Sequence, residues 1–178
     1  MRIISGTLKG RRFTPPTNLK ARPTTDFAKE GLFNILNNQI DLEGLRVLEL
    51  FSGSGSIGLE FISHEVASVD GIEISAQHIQ YIKKVCKELD VTNYQLYKND
   101  VFRFLKACKD SYDLVYADPP YQIKDLATLP DLVLNGNIVQ PGGYFILEHG
   151  RDNNFESHPR FVNERKFGNV HFSFFQQV

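Results

Sequence analysis

Cysteine is scarce, net charge is almost absent, and no apolar run is long enough to cross a bilayer in this 178-residue sequence. Cys86 and Cys108 form neither a CxxC pair nor a set with a histidine at metal-ligand spacing. That sets aside a disulfide scaffold and a zinc module, and predicts reduced, buried thiols in a cytoplasmic protein. With no stretch near the ~20 apolar residues of a membrane helix, no span is expected. The opening MRIISGTLKGRRF also lacks the apolar stretch and cleavage site of an export signal. Repeats and low-complexity tracts are missing as well. What remains is a chain of 42% hydrophobic content, sufficient for one domain with a core and a small appendage.

The net charge of −1 conceals a split. Residues 1–25 carry Arg2, Lys9, Arg11, Arg12, Lys20 and Arg22 with no acid, a charge of +6 that leaves −7 on the remainder. A basic arm on an acidic body is the asymmetry of a face that meets phosphates, although a merely solvated N-terminus has the same composition.

From Leu45 onward β-rich runs alternate with helical ones, the pattern of an α/β fold with a parallel sheet covered on both faces. The spacing predicts strands at 46–51, 67–72, 94–98, 112–117 and 143–148, and helices at 57–63, 76–89, 101–109 and 126–135. In the second of these helices Ile79, Ile82, Val85, Cys86 and Leu89 make an apolar stripe suited to core packing. Two further strands, 160–167 and 170–177, flank Gly168 and Asn169, a hairpin turn signal, so an antiparallel hairpin closes the sheet. Upstream, the stretch from Ile3 to Phe13 suggests a small basic β-hairpin. A Pro-rich connection follows, and then a helix at 26–37 capped from Thr24, Thr25 or Asp26. The expected organisation is an N-terminal extension at 1–40 and a catalytic domain at 41–178.

The run LELFSGSGSIGLE ends a strand, turns through glycines and begins a helix, which lets a ligand approach the backbone closely. Gly53, Gly55 and Gly58 spell GxGxxG, a pattern that also nominates a dinucleotide-binding oxidoreductase. Glu49 at the strand end, four residues before the first glycine, and the turn lengthened by Phe51 and Ser52, favour a cationic ligand over a pyrophosphate. S-adenosylmethionine, with its ammonium and sulfonium, is such a ligand. Ser54 completes the loop. Glu73, followed by Ile74 at the end of the second strand, is placed to accept ribose hydroxyls from either cofactor class, or is simply a surface acid. Asp100 after the third strand is placed to bind an adenine amino group with Val101 or Phe102 on the ring; capping of the next helix would explain the same residue without a ligand.

Asp118, Pro119, Pro120 and Tyr121 follow directly on the fourth strand, at the sheet edge that carries the glycine loop. An exocyclic amine on a purine is a poor nucleophile because its lone pair is delocalised into the ring. The Asp118 carboxylate and the Pro119 carbonyl can take its two N–H bonds and tilt that lone pair out of plane. Consecutive prolines fix the backbone that aims the acceptors, and Tyr121 offers a stacking surface for an extruded base. The alternative is a local Pro-Pro turn whose Asp hydrogen-bonds nearby and whose Tyr packs at the surface. No metal and no covalent nucleophile is called for, and none of the five histidines is assigned to chemistry. Glu148, at the end of the fifth strand, borders the pocket or makes a local cap or ion pair.

LELFSGSG, Glu73, Asp100 and Asp118 to Tyr121, in that order, resemble the class I methyltransferases that modify amino groups of nucleobases. The N-terminal MRIISGTLKGRRF and ARPTTDFAKEGLFNIL, with the closing FGNVHFSFF, are similar to the bacterial 16S rRNA guanine-N2 methyltransferase, or RsmD-like, group. The resemblance spans nearly the whole chain and departs at Phe27, Ala28 and Lys29. It implies a Rossmann-like, mostly parallel seven-stranded sheet, S-adenosylmethionine as cofactor, and a monomer acting on a guanine of 16S rRNA within the small subunit. It also implies that Arg2, Lys9, Arg11, Arg12, Arg22, Thr24 and Thr25 contact RNA. The competing expectations are a DNA adenine-N6 or cytosine-N4 methyltransferase, a nicotinamide-dependent dehydrogenase, and a non-catalytic RNA-binding assembly factor.

Overall fold

The computed structural model describes residues 1–17, 24–120 and 122–178; Arg22 and Tyr121 lie outside them. Among these residues seven strands form one sheet in the order β3-β2-β1-β4-β5-β7-β6. β1 (Arg46–Leu50), β2 (Ser68–Glu73), β3 (Tyr94–Lys98), β4 (Tyr112–Ala117) and β5 (Val139–Gly150) run parallel. β6 (Phe161–Phe167) and β7 (Val170–Gln176) add the antiparallel hairpin at the edge. Val47, Leu48 and Leu50 of β1 are all buried, which central placement between β2 and β4 requires, because both faces of such a strand meet helices. From β1 the chain moves outward to β2 and β3, then returns to β4 on the other side. The carboxyl ends of β1 and β4 therefore flank a topological switch point.

α1 (Asp26–Gln39) begins where the Thr25 hydroxyl accepts the Ala28 N–H at 3.2 Å, and it buries Ala28, Leu32, Phe33 and Leu36. Their spacing is that of one helical face. α3 (Ala76–Glu88) is capped by Ser75 and buries Ile79, Ile82, Val85 and Cys86, with Leu89 packed at the margin. α4 (Val101–Ala107) and α5 (Leu129–Asn135) cover the opposite face, α5 entered through a 3₁₀ turn at Leu126–Thr128 rather than as one continuous helix. β5 starts four residues earlier than its sequence suggests. Pro141 and Gly142 read locally as a turn, yet they fall within the strand, at a break in its register against Tyr112 and Leu114.

α2 (Ser56–Ser63) is buried along its whole length, because the N-terminal segment covers the side that would otherwise face solvent. That segment pairs through one antiparallel bridge, Arg2 with Arg12, with flanking backbone bonds from Ile3 N–H to Arg11 and from Phe13 N–H to Met1. It is a shorter pairing than the expected hairpin strands. Glu60, with no exposed surface, accepts the Ile4 N–H, the Ser5 N–H and the Ser5 hydroxyl within 2.8–3.1 Å. Lys29 closes the junction from α1, with Nζ 3.2 Å from Glu60, 3.0 Å from Ser56 Oγ and 2.5 Å from the Arg2 carbonyl. A basic residue on an RNA-facing helix would be expected outside; Lys29 instead points into the core, where its charge has a buried partner. Ile3 shares one apolar cluster with Phe33, Leu36, Leu59 and Phe61.

Candidate active site

The loop after β1 turns sharply. Phe51 (φ 61°) and Gly55 (φ 73°) both adopt left-handed backbone, which strains phenylalanine and suits glycine, and the turn delivers the chain into α2. Two acids hold the loop from below. Glu49 Oε1 accepts the Gly58 N–H at 2.7 Å while its Oε2 takes the Tyr94 hydroxyl. Glu73 Oε2 accepts the Gly53 N–H and Oε1 the Ser75 N–H, each at 2.8 Å. Gly58 is needed for the first of these contacts, because a Cβ there would stand 2.5 Å from the Tyr94 hydroxyl oxygen and 2.8 Å from Glu49 Oε2.

Above the loop lies a cavity of about 700 Å³ at the carboxyl ends of the strands. Of the residues expected to bind cofactor or catalyse, Glu49, Phe51, Gly53, Ser54, Glu73, Asp118, Pro119 and Pro120 line it. Thr24 and Thr25, expected to contact RNA, form part of its wall too. Gly55, Gly58, Ile74, Asp100 and Val101 do not line it. Gly55 and Gly58 shape the loop from behind, and Ile74 is largely exposed. Asp100 Oδ1 accepts the Arg103 N–H at 2.9 Å and so caps α4. Arg2, Lys9, Arg11 and Arg12 lie outside the cavity on the N-terminal segment, where Arg2 pairs with Asp26 at 3.4 Å.

The far wall holds a cluster of Thr24, Tyr116 and Glu148 whose meeting the sequence did not indicate. Thr24 Oγ1 donates to Glu148 Oε2 at 2.9 Å and the Tyr116 hydroxyl donates to the same oxygen at 2.5 Å. Tyr116 and Asp118 stand two residues apart leaving β4, so strand alternation sends both toward this wall. Burial, then the Glu148 charge, then Glu49, push the Asp118 carboxyl well above the usual carboxylate range. Burial raises Glu148 as well, against the opposing pull of its Tyr116 and Thr24 hydrogen bonds. Glu49, wholly enclosed, is pushed up to about 7, chiefly by burial. Tyr116 and Tyr94 are raised well above their ordinary value, first by burial, and remain hydroxyl donors.

This lining selects by charge. Four acidic side chains, Glu49, Glu73, Asp118 and Glu148, face the cavity, and no lysine or arginine does so among the described residues. The Gly53 and Gly58 N–H groups, which a phosphate-binding loop would leave free for its ligand, are already donated to acids. A pyrophosphate would meet repulsion with few donors, whereas a ligand bearing ammonium and sulfonium charge meets complementary groups. Ribose hydroxyls would reach the lone pairs of Glu73 that the loop leaves open, and Phe51, Ile57 and the prolines supply apolar wall. The residues present therefore fit S-adenosylmethionine and not a nicotinamide dinucleotide.

The family model described as Conserved hypothetical protein 95 matches residues 1–176. The chain belongs to this family. A relative named Ribosomal RNA small subunit methyltransferase D, from Buchnera aphidicola subsp. Baizongia pistaciae, is 29% identical over 100% of the chain and 92% of its own length. A solved structure of a hypothetical protein from Thermus thermophilus superposes with a TM-score of 0.85 at 26% identity, covering 100% of this chain and 99% of that one. The structure of the Thermus thermophilus 16S rRNA guanine-N2 methyltransferase RsmC, in complex with AdoMet and guanosine, shares the fold. Its TM-score is 0.71 at 19% identity, over 89% of this chain and 45% of that one. This member of the family thus has the Rossmann-like fold of class I methyltransferases, with the antiparallel hairpin at the end of the sheet.

Proposed function

We propose that this protein transfers a methyl group from S-adenosylmethionine to the exocyclic N2 amine of a guanine in 16S rRNA of the small ribosomal subunit, acting as a monomer. The observation that carries the reading is the meeting of Asp118-Pro119-Pro120 with an acid-lined cavity beside the glycine loop. The names of its rRNA-methylating relatives support the substrate class.

The cofactor supplies an electrophilic methyl on a sulfonium, which is already a good leaving group. Alignment of the amine is then the protein's main task. Asp118 Oδ and the Pro119 carbonyl accept the two N–H bonds and turn the nitrogen lone pair toward the methyl. The raised proton affinity of Asp118 suits it to take up the proton that the amine sheds. Burial chiefly, and then the charge of Glu148, which Thr24 and Tyr116 hold in place, sustain that affinity. Residues 1–40 serve as the RNA-facing extension, with Arg2, Lys9, Arg11 and Arg12 neutralising phosphates without reading sequence. Thr24 and Thr25, in the cavity wall, are proposed to lie toward the target base.

The test is transfer of labelled methyl to purified small subunits lacking the native modification, followed by nucleoside analysis. N2-methylguanosine supports the proposal, with Asp118→Ala reducing transfer by about 10²–10⁴-fold while cofactor binding persists. Label in another nucleoside, or none in RNA from protein that binds the cofactor, overturns it.

A further inference from the structure

Three side chains that the proposed chemistry does not use converge on the antiparallel end of the sheet. His149 on β5 stands directly opposite His171 on β7, and Glu164 reaches them from β6, where its neighbour Lys166 pairs with His171. Glu148 points into the cavity, so strand alternation puts His149 on the other face. We propose that His149, Glu164 and His171 form a binding site for a divalent transition-metal ion of the zinc class, on the face of the sheet opposite the cavity.

The geometry is close to what such an ion requires. Glu164 Oε2 lies 3.6 Å from His149 Nε2 and 3.5 Å from His171 Nδ1, and the three ligand atoms all fall within 4.8 Å of one another. Ligands about 2.0–2.1 Å from a tetrahedral ion stand roughly 3.3–3.4 Å apart, so two of the three separations need to close by only a few tenths of an ångström.

Each ligand atom is also in a suitable state. His149 Nδ1 is 2.9 Å from the Gly150 carbonyl and donates its proton there, leaving the Nε2 lone pair facing the cluster. A backbone carbonyl on the remote ring nitrogen is the usual support of a metal-bound histidine. Lys166 occupies Glu164 Oε1 at 2.9 Å and leaves Oε2 for the ion.

The independent sign of a missing ligand is His171. It is only 7% exposed, and its Nδ1, aimed at the cluster, has no hydrogen-bond partner among the described residues. A buried polar atom without a partner is costly, and an ion would satisfy it. The Ser173 hydroxyl, 2.8 Å from His149 Nε2, is the one group that must turn aside. With three protein ligands and a fourth position for water or Ser173, the ion would tie β5, β7 and β6 together behind the wall that presents Glu148.

The test uses the full, untagged chain stripped with a chelator and titrated with Zn²⁺, followed by thermal midpoint and by direct binding, with Co²⁺ as a spectroscopic probe. Saturable 1:1 binding that raises the midpoint is expected, together with Co²⁺ d–d bands of nitrogen and oxygen ligation. Glu164→Gln, which can still accept from Lys166, and His171→Gln should each weaken binding at least tenfold, while His158→Gln leaves it unchanged. If His171→Gln fails to fold, Glu164→Gln alone decides. No Zn²⁺ binding, equal binding in Glu164→Gln, or a thiolate charge-transfer band assigning the ion to Cys86 or Cys108 would overturn the proposal.

Discussion

Replacing Lys29 with methionine keeps most of the side-chain volume and removes the charge that sits between α1, α2 and the N-terminal segment. Glu60 would then be an acid with no exposed surface and no cationic partner. Breaking a buried pair by removing one member costs about 3–5 kcal/mol. The lower end applies here, because Glu60 keeps its Ile4 and Ser5 donors, which solvate the carboxylate in place. Burial pulls the Lys29 pKa down against the attraction of Glu60. A loss of about 3 kcal/mol lowers the thermal midpoint by roughly 6–12 °C for a chain of this size. Urea denaturation and thermal melts followed by far-ultraviolet circular dichroism measure both quantities. Because Lys29 also binds the Arg2 carbonyl, the cations at the N-terminus lose their anchor, and RNA affinity should fall more than cofactor affinity. The double variant Lys29→Met with Glu60→Gln should cost less than the sum of the two single changes, since neither then leaves a buried charge unpaired. A Lys29→Met cost below about 1 kcal/mol, or strict additivity, would refute the clamp.

Glu49→Gln removes an acid whose pKa is pushed up from 4.5 to about 7. A raised carboxyl pKa means that the native state holds the proton more tightly, so stability is fully present below 4.5 and is lost as pH rises through about 7. The uncharged variant should therefore gain on wild type across that window, by up to about 3 kcal/mol, and a difference that does not vary with pH refutes the assignment. Gly58→Ala should destabilise by about 1–3 kcal/mol and weaken cofactor binding, because its Cβ collides with Tyr94 and Glu49; unchanged melting and affinity would show that the contact yields freely. Arg11→Glu with Arg12→Glu should weaken RNA binding and reduce the slope of log affinity against log salt by roughly 1–2, and an unaltered slope would place the phosphate contacts elsewhere.

Local signals carried most of the fold. The alternation of strand and helix, the glycine turn and the Gly168-Asn169 hairpin are each contained within a few residues, and β3 and β4 fall where periodicity puts them. β5 did not, because Pro141 and Gly142 look like a turn until the register break against β4 is seen. The candidate site divides the same way. The acids at strand ends and the Asp118 run are legible because parallel topology brings every strand's carboxyl end to one edge. What joins Thr24 to Glu148 is a contact across 124 residues, and what fixes Glu60 spans 55 and 56. No window of sequence contains such pairs. Lys29 shows the limit most sharply, since a lysine in a basic, RNA-directed setting gives no local sign that it will be buried.

The two acids that brace the glycine loop bear on selectivity as well as on shape. A loop with this glycine spacing can hold a pyrophosphate when its N–H groups are free, and here Glu73 and Glu49 have claimed those of Gly53 and Gly58. The same carboxylates that complete the loop's hydrogen bonding thereby set the sign of charge it accepts. Preference for a cationic cofactor then follows from the fold's own support rather than from a separate recognition residue. It should persist in any variant that keeps Glu49, Glu73 and Tyr94 together.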